Sequence, residues 1–87
     1  MTTQNFEEVA KKMYPQDRHM QILINPEWLA NEIKYAGLGS PNHSDISVEY
    51  VEERRINVFV KDALVGQYGP VYDNNGKYVG DTLTAAK

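Results

Sequence analysis

Around Asp73-Asn74-Asn75-Gly76-Lys77 the chain is close to its own mirror image. Val71-Tyr72 leads in and Tyr78-Val79 leads out. Aromatic and β-branched residues on both sides of an Asn-Gly turn form the pattern of an antiparallel hairpin. The run from Val65 to Asp81 holds three of the six tyrosines and four of the six glycines. It therefore reads as a ribbon over 70–80 with aromatic side chains on its surface. An isolated two-stranded ribbon is marginal in water, so this one must dock on its own sheet or on another chain.

The rest of the chain supplies that sheet. Ile46, Val48 and Tyr50 alternate with Ser47, Glu49 and Val51. Ile56, Val58 and Val60 alternate with Asn57, Phe59 and Lys61. The two runs predict a second hairpin, with one buried face, turning at Glu53-Arg54. That turn lacks Gly or Asn, so ragged or bulged ends are expected. His19 to Ile24 reads as a further strand, with Met20, Ile22 and Ile24 on one face. Residues 63–69 read as irregular or edge-like.

Two helices are expected. Over 5–14, Phe6, Val9, Ala10 and Met13 share a helical face. Asn5 and Glu8 make a capping box, and Pro15 ends the helix. The clearest helix start is Asn25-Pro26-Glu27-Trp28: an N-cap, proline at the first position and an acid at the positive end of the dipole. This helix runs to about Ala36, with Gly37 as its left-handed cap. Leu29 and Ile33 point to the core, and Trp28 and Tyr35 lie along its border. Residues 37–45 are a loop.

The fold class is α+β: two short helices on one face of a small, mainly antiparallel sheet of about five strands, ending in the tyrosine-rich hairpin. One domain spans 1–87, with 82–87 as a flexible tail. A chain of 87 residues buries roughly 60–65% of its unfolded surface, enough for one small core and little room for a deep pocket.

Composition removes several functions. There is no cysteine, so disulfides, thiolate zinc sites and cysteine nucleophiles are excluded. The net charge is −3, spread evenly, and the only basic pairs are Lys11-Lys12 and Arg54-Arg55, so nucleic-acid binding is not expected. Met1 to Glu8 has neither a basic start nor an apolar run, so no signal peptide is read there. The longest strongly apolar run, Ile22-Leu23-Ile24, cannot span a bilayer. A cytoplasmic protein with no membrane role is expected.

The chemical motifs fail on geometry. Asn42-His43-Ser44-Asp45 holds Ser, His and Asp side by side, whereas a triad needs them brought from separate elements. His19 and His43 lack the spacing of a metal pair. Asp73-Asn74-Asn75-Gly76 has glycine and Lys77 at the wrong positions for a calcium loop. Gly37-x-Gly39 follows a helix and lacks the Lys-Ser or Lys-Thr of a phosphate loop. No cofactor and no metal are expected. The Glu52-Glu53-Arg54-Arg55 turn is either a solvated tip or a charged lip beside an interface.

The aromatic set Trp28, Tyr35, Tyr50, Tyr68, Tyr72 and Tyr78 remains. Six such side chains cannot all be buried with satisfied polar tips in so small a domain, and Tyr and Trp favour contact hot spots. Tyr72 and Tyr78 either pair across the hairpin and only stabilise it or present a contact surface. The expectation is a non-enzymatic protein-interaction module: an inhibitor, adaptor or assembly subunit. Small cysteine-free chains of this kind are common among phage and mobile-element accessory proteins. Its contact residues would be Tyr68, Tyr72, Tyr78, Trp28 and Tyr35. Its partner would be another protein or a second copy, with a homodimer as one form, rather than a small molecule. The alternative is a ligand-binding or enzymatic domain, with a shallow site between the Trp28/Tyr35 helix and the His43 loop, using Glu32, His43 and Asp45.

Overall fold

The computed structural model describes residues 6–52 and 54–86. The fold is α+β, and among the described residues three α-helices are followed by a four-stranded antiparallel sheet in the order β1-β2-β3-β4. The strands are β1 (Ile46–Tyr50), β2 (Ile56–Val60), β3 (Ala63–Tyr72) and β4 (Tyr78–Ala85).

Helix α1 (Phe6–Met13) buries Val9, Ala10 and Met13, with Phe6 packed beside them. Glu7 and Lys11 pair on its exposed face at 3.4 Å. The Asn5 cap lies outside the described residues.

Arg18–Leu23 is a helix, α2, rather than the expected strand. Asp17 caps it, its carboxylate accepting the Met20 N–H at 3.2 Å. Gln21 ties it back by donating to the Tyr14 carbonyl at 2.6 Å. Residues 18–23 include Arg, Met, Gln and Leu, all good helix formers. Met20 and Ile24 lie four apart and both face the core, while Ile22 is 70% exposed. The spacing that counts is therefore helical, and a strand would have buried all three.

Helix α3 (Pro26–Tyr35) follows its sequence signals closely. Asn25 accepts the Trp28 N–H at 2.9 Å. At the other end Gly37 (φ +76) takes the left-handed cap. Leu38 N–H bonds to Ile33 O and Gly37 N–H to Lys34 O, both at 3.0 Å. That is the Schellman arrangement.

The helices cover one face of the sheet. In register, Ile46 faces Val60, Val48 faces Val58 and Tyr50 faces Ile56. Ile56 then faces Tyr68, and Tyr68 faces Leu83. Met13, Leu29, Ile33, Val48, Ile56 and Val58 are fully enclosed. Each such burial stabilises by roughly 1.5–3 kcal/mol. The other face carries a polar row, Glu49, Asn57 and Gln67. Asn57 donates to Glu49 at 3.4 Å and Gln67 to Asn57 at 3.2 Å.

Two further expectations need correcting. Residues 63–69 are part of β3, an inner strand, because close backbone approach requires glycine there. A Cβ on Gly66 would meet the Thr84 carbonyl oxygen at 2.6 Å, and one on Gly69 the Arg55 Cγ at 2.6 Å. Thr82–Ala85 are no tail: they form β4 and pair with Gly66–Gly69. Four strands and three helices thus replace five and two. The β1–β2 turn places Arg54 at φ +62; Glu53 and Lys87 lie outside the described residues.

Candidate functional site

The Asp73–Lys77 turn is built by one carboxylate. Asp73 Oδ1 accepts the Asn75 N–H at 2.8 Å and the Lys77 N–H at 2.9 Å. Gly76 N–H closes on Asp73 O at 3.0 Å, and Gly76 takes φ +81. Tyr72 and Tyr78 face each other directly above this turn. Their rings meet edge-on, centroids 6.1 Å apart at 66°. The ladder shifts register between Val71 and Tyr72. That bulge puts Tyr78 and Asp81, three residues apart, on the helix-facing side.

Asp81 is the hub. The Tyr78 hydroxyl donates to its Oδ1 at 2.9 Å. The Tyr14 hydroxyl, reaching in from the α1–α2 connection, donates to its Oδ2. Arg54 lies over both rings, its guanidinium carbon 5.4 Å from the centroid of Tyr78 and 5.8 Å from that of Tyr14. Both distances suit cation–π attraction. The Arg54 N–H also donates to the Tyr50 hydroxyl at 3.3 Å, and Lys12 sits 5.9 Å from the Tyr50 ring centroid.

Electrostatics follow from burial and from Asp81. Burial first, then the Asp81 bond, holds the Tyr14 hydroxyl well above the ordinary tyrosine range. Burial pushes Tyr68 up to about 12, aided by the charges of Asp81 and Glu32. The Asp81 bond leads in raising Tyr78. Partial burial disfavours the Arg54 charge, but Asp81, Tyr14 and Tyr78 outweigh it, and its pKa is raised. All four shifts move away from neutral pH, whereas general acid–base work needs a group near the operating pH. The Trp28 indole N–H lies close enough to Tyr68 to favour the phenolate. It still falls outside hydrogen-bond geometry, and its nitrogen is buried without a partner.

The structure brings together some of the expected contact residues and separates others. Tyr72 and Tyr78 are 50% and 46% exposed and adjacent. Tyr68 is 3% exposed, which corrects its place on the surface. The helix layer covers the face of β3 on which it lies. Trp28 packs partly buried on the core. Tyr35 is exposed on α3, and no ring contact joins it to the hairpin pair among the described residues. Tyr14 and Asp81 did not stand out in the sequence. The only hint was a tyrosine before Pro15 and an acid three residues beyond Tyr78.

Of the alternative site, the structure brings α3 against the His43–Asp45 turn and places Asp45 at a hollow there. A hollow of about 350 Å³ beside the His43–Asp45 3-10 turn is lined by Leu38, Pro41, Asp45 and Lys61, among others. Trp28, Tyr35 and His43 do not line it. His43 is exposed, and burial raises Glu32 on α3 above the ordinary carboxylate value. A shallow groove of about 880 Å³ runs between α1 and α2, past Lys11, Pro15 and Ile22. Among the described residues no three His, Asp or Glu side chains group to hold a metal, and no helix is long and apolar enough to cross a membrane.

No protein-family model, curated protein or solved structure matches this chain.

Proposed function

We propose that this chain is a non-enzymatic protein-interaction module, of the inhibitor, adaptor or assembly-subunit type found among phage and mobile-element accessory proteins. Its contact surface is Tyr72, Tyr78 and Arg54. One observation carries the reading: two tyrosine rings half exposed, yet held edge-to-face, with Tyr78 tied to Asp81. Rings fixed before binding lose little side-chain entropy when a partner docks. Tyr and Arg are the residues that dominate contact energies. Tyr68 belongs to the buried core and Trp28 packs partly buried against it, and Tyr35 stands outside the patch.

The test is affinity capture from the native host, quantified by mass spectrometry, with wild type beside Tyr72→Ala/Tyr78→Ala. The double variant should keep its far-UV spectrum and lose its specific partner at least tenfold. A partner retained at wild-type yield by a folded double variant would overturn the assignment.

A further inference from the structure

The two outer strands of the sheet differ. β1 is 5 residues long and carries Glu49. β4 is 8 residues long, and from Tyr78 to Ala85 it has no lysine, arginine or proline. Its single charge, Asp81, is turned inward and held by two tyrosine hydroxyls. Natural edges are usually protected by short length, lysine, proline, bulges, inward-pointing charges or a covering element. β4 has two of these, the bulge beside Gly80 (φ +140) and the inward Asp81, and both leave Asp81–Ala85 in regular register. No strand lies beyond β4 among the described residues.

The direction of the edge groups follows from one bond. Ala86 N–H donates to Val65 O at 3.1 Å. Ladder groups alternate in an antiparallel pair. Thr84 and Thr82 therefore also bond toward β3, and Asp81, Leu83 and Ala85 aim N–H and C=O outward. Pro70 agrees: it faces Asp81 across the ladder, yet its carbonyl turns away from β4 to accept from Arg55 at 3.4 Å.

We infer that this edge pairs with the same edge of a second copy, antiparallel, about a two-fold axis through Leu83. In that register every outward group finds a partner. Leu83 exchanges both bonds with its counterpart, and Asp81 does so with Ala85 of the other copy. On the open face, exposed Thr82 and Thr84 come to lie opposite one another, a favourable cross-strand pair. An axis through Asp81 would oppose two carboxylates, and one through Ala85 would strand the groups of Asp81. The pairing is isologous, so it closes at two copies. It uses the outward main-chain groups of Asp81–Ala85 rather than the Tyr72 and Tyr78 rings.

Sedimentation equilibrium on the full chain, from about 1 to about 200 µM, decides it, since a modest specific interface associates within that range. A reversible dimer is expected. Thr82→Lys/Thr84→Lys sets like charges across the axis and should weaken it by roughly tenfold or more. Thr82→Glu/Thr84→Lys sets opposite charges there and should hold wild-type affinity. Tyr72→Ala/Tyr78→Ala should also dimerise normally. If the lysine pair unfolds the chain, Ala85→Pro, which removes one outward N–H, should weaken the dimer in its place. A wild-type monomer at the top concentration, edge variants as tight as wild type, a Glu/Lys variant as weak as the lysine pair, or loss of the dimer in the tyrosine variant would each overturn the inference.

Discussion

The buried layer between helices and sheet is built in two different ways along the strands. The rows Ile46–Val60 and Val48–Val58 are hydrocarbon, closed by Met13, Leu29 and Ile33. Beyond the Tyr68–Leu83 row the same face runs on through Asp81 to Tyr72–Tyr78 and gathers phenols, a carboxylate and a guanidinium. Hydrocarbon packing is non-directional and tolerates any well-filled arrangement. The tyrosine end is directional, because the Tyr14 and Tyr78 hydroxyls each bond a different oxygen of Asp81. The first region holds the fold together; the second fixes where two exposed rings stand.

That division can be broken by substitution. Leu29→Ala or Ile33→Ala should cost ~2–5 kcal/mol in urea unfolding, since the enclosed site leaves a cavity. The hairpin would keep its local geometry in whatever remains folded. Gly66→Ala comes next, at ~1–3 kcal/mol, because its Cβ must displace the Thr84 carbonyl and strain the ladder. Asp81→Ala should cost ~1–3 kcal/mol, as two phenols lose their acceptor. It should also free the Tyr78 ring, seen as faster ring flipping by NMR, which Leu29→Ala should not do. If Asp81→Ala leaves Tyr78 as rigid as before, the two regions do not differ in the way described.

Alkaline titration sharpens the contrast with a smaller effect. Tyrosines in the unfolded chain ionise near pH 10 (approximate reference value), whereas Tyr68 holds its proton to about 12 and Tyr14 beyond that. Below the unfolded value both states are protonated and stability is flat. Above it the unfolded chain ionises first, so stability falls as pH rises through the folded value. Tyr14→Phe and Tyr68→Phe should flatten that fall, and substitutions among the hydrocarbon rows should leave its slope unchanged.

How much of this could be read from the residues depended on range. α3 and the Asp73–Gly76 turn were legible because their caps and turn residues act within a few positions. Tyr72 and Tyr78 were legible as a pair for the same reason. α2 was not: a strand pattern and a short helix both suit Met20 and Ile24, and Asp17 as cap decided between them. The β2–β3 turn was hidden because Lys61 and Asp62 take φ of 50 and 66, where Gly or Asn is the usual sign. Gly66, Gly69 and Pro70 looked like breakers, yet they mark the tight contacts of an inner strand. The Tyr14–Asp81 hub could not be read at all, because no local pattern links a residue to one 67 positions away.

That separation has a consequence in time. Each strand pairs with its neighbour in sequence, so the sheet forms by closing short loops, which is fast. The Tyr14 hydroxyl can reach Asp81 only after the whole sheet exists and the N-terminal helices have docked. Its bond therefore belongs on the native side of the folding barrier. Tyr14→Phe should speed unfolding several-fold and leave the refolding rate within twofold of wild type, the signature of a contact made after the transition state. The bond that positions the exposed rings would then act as a latch, setting how long the folded chain lasts rather than how quickly it is reached.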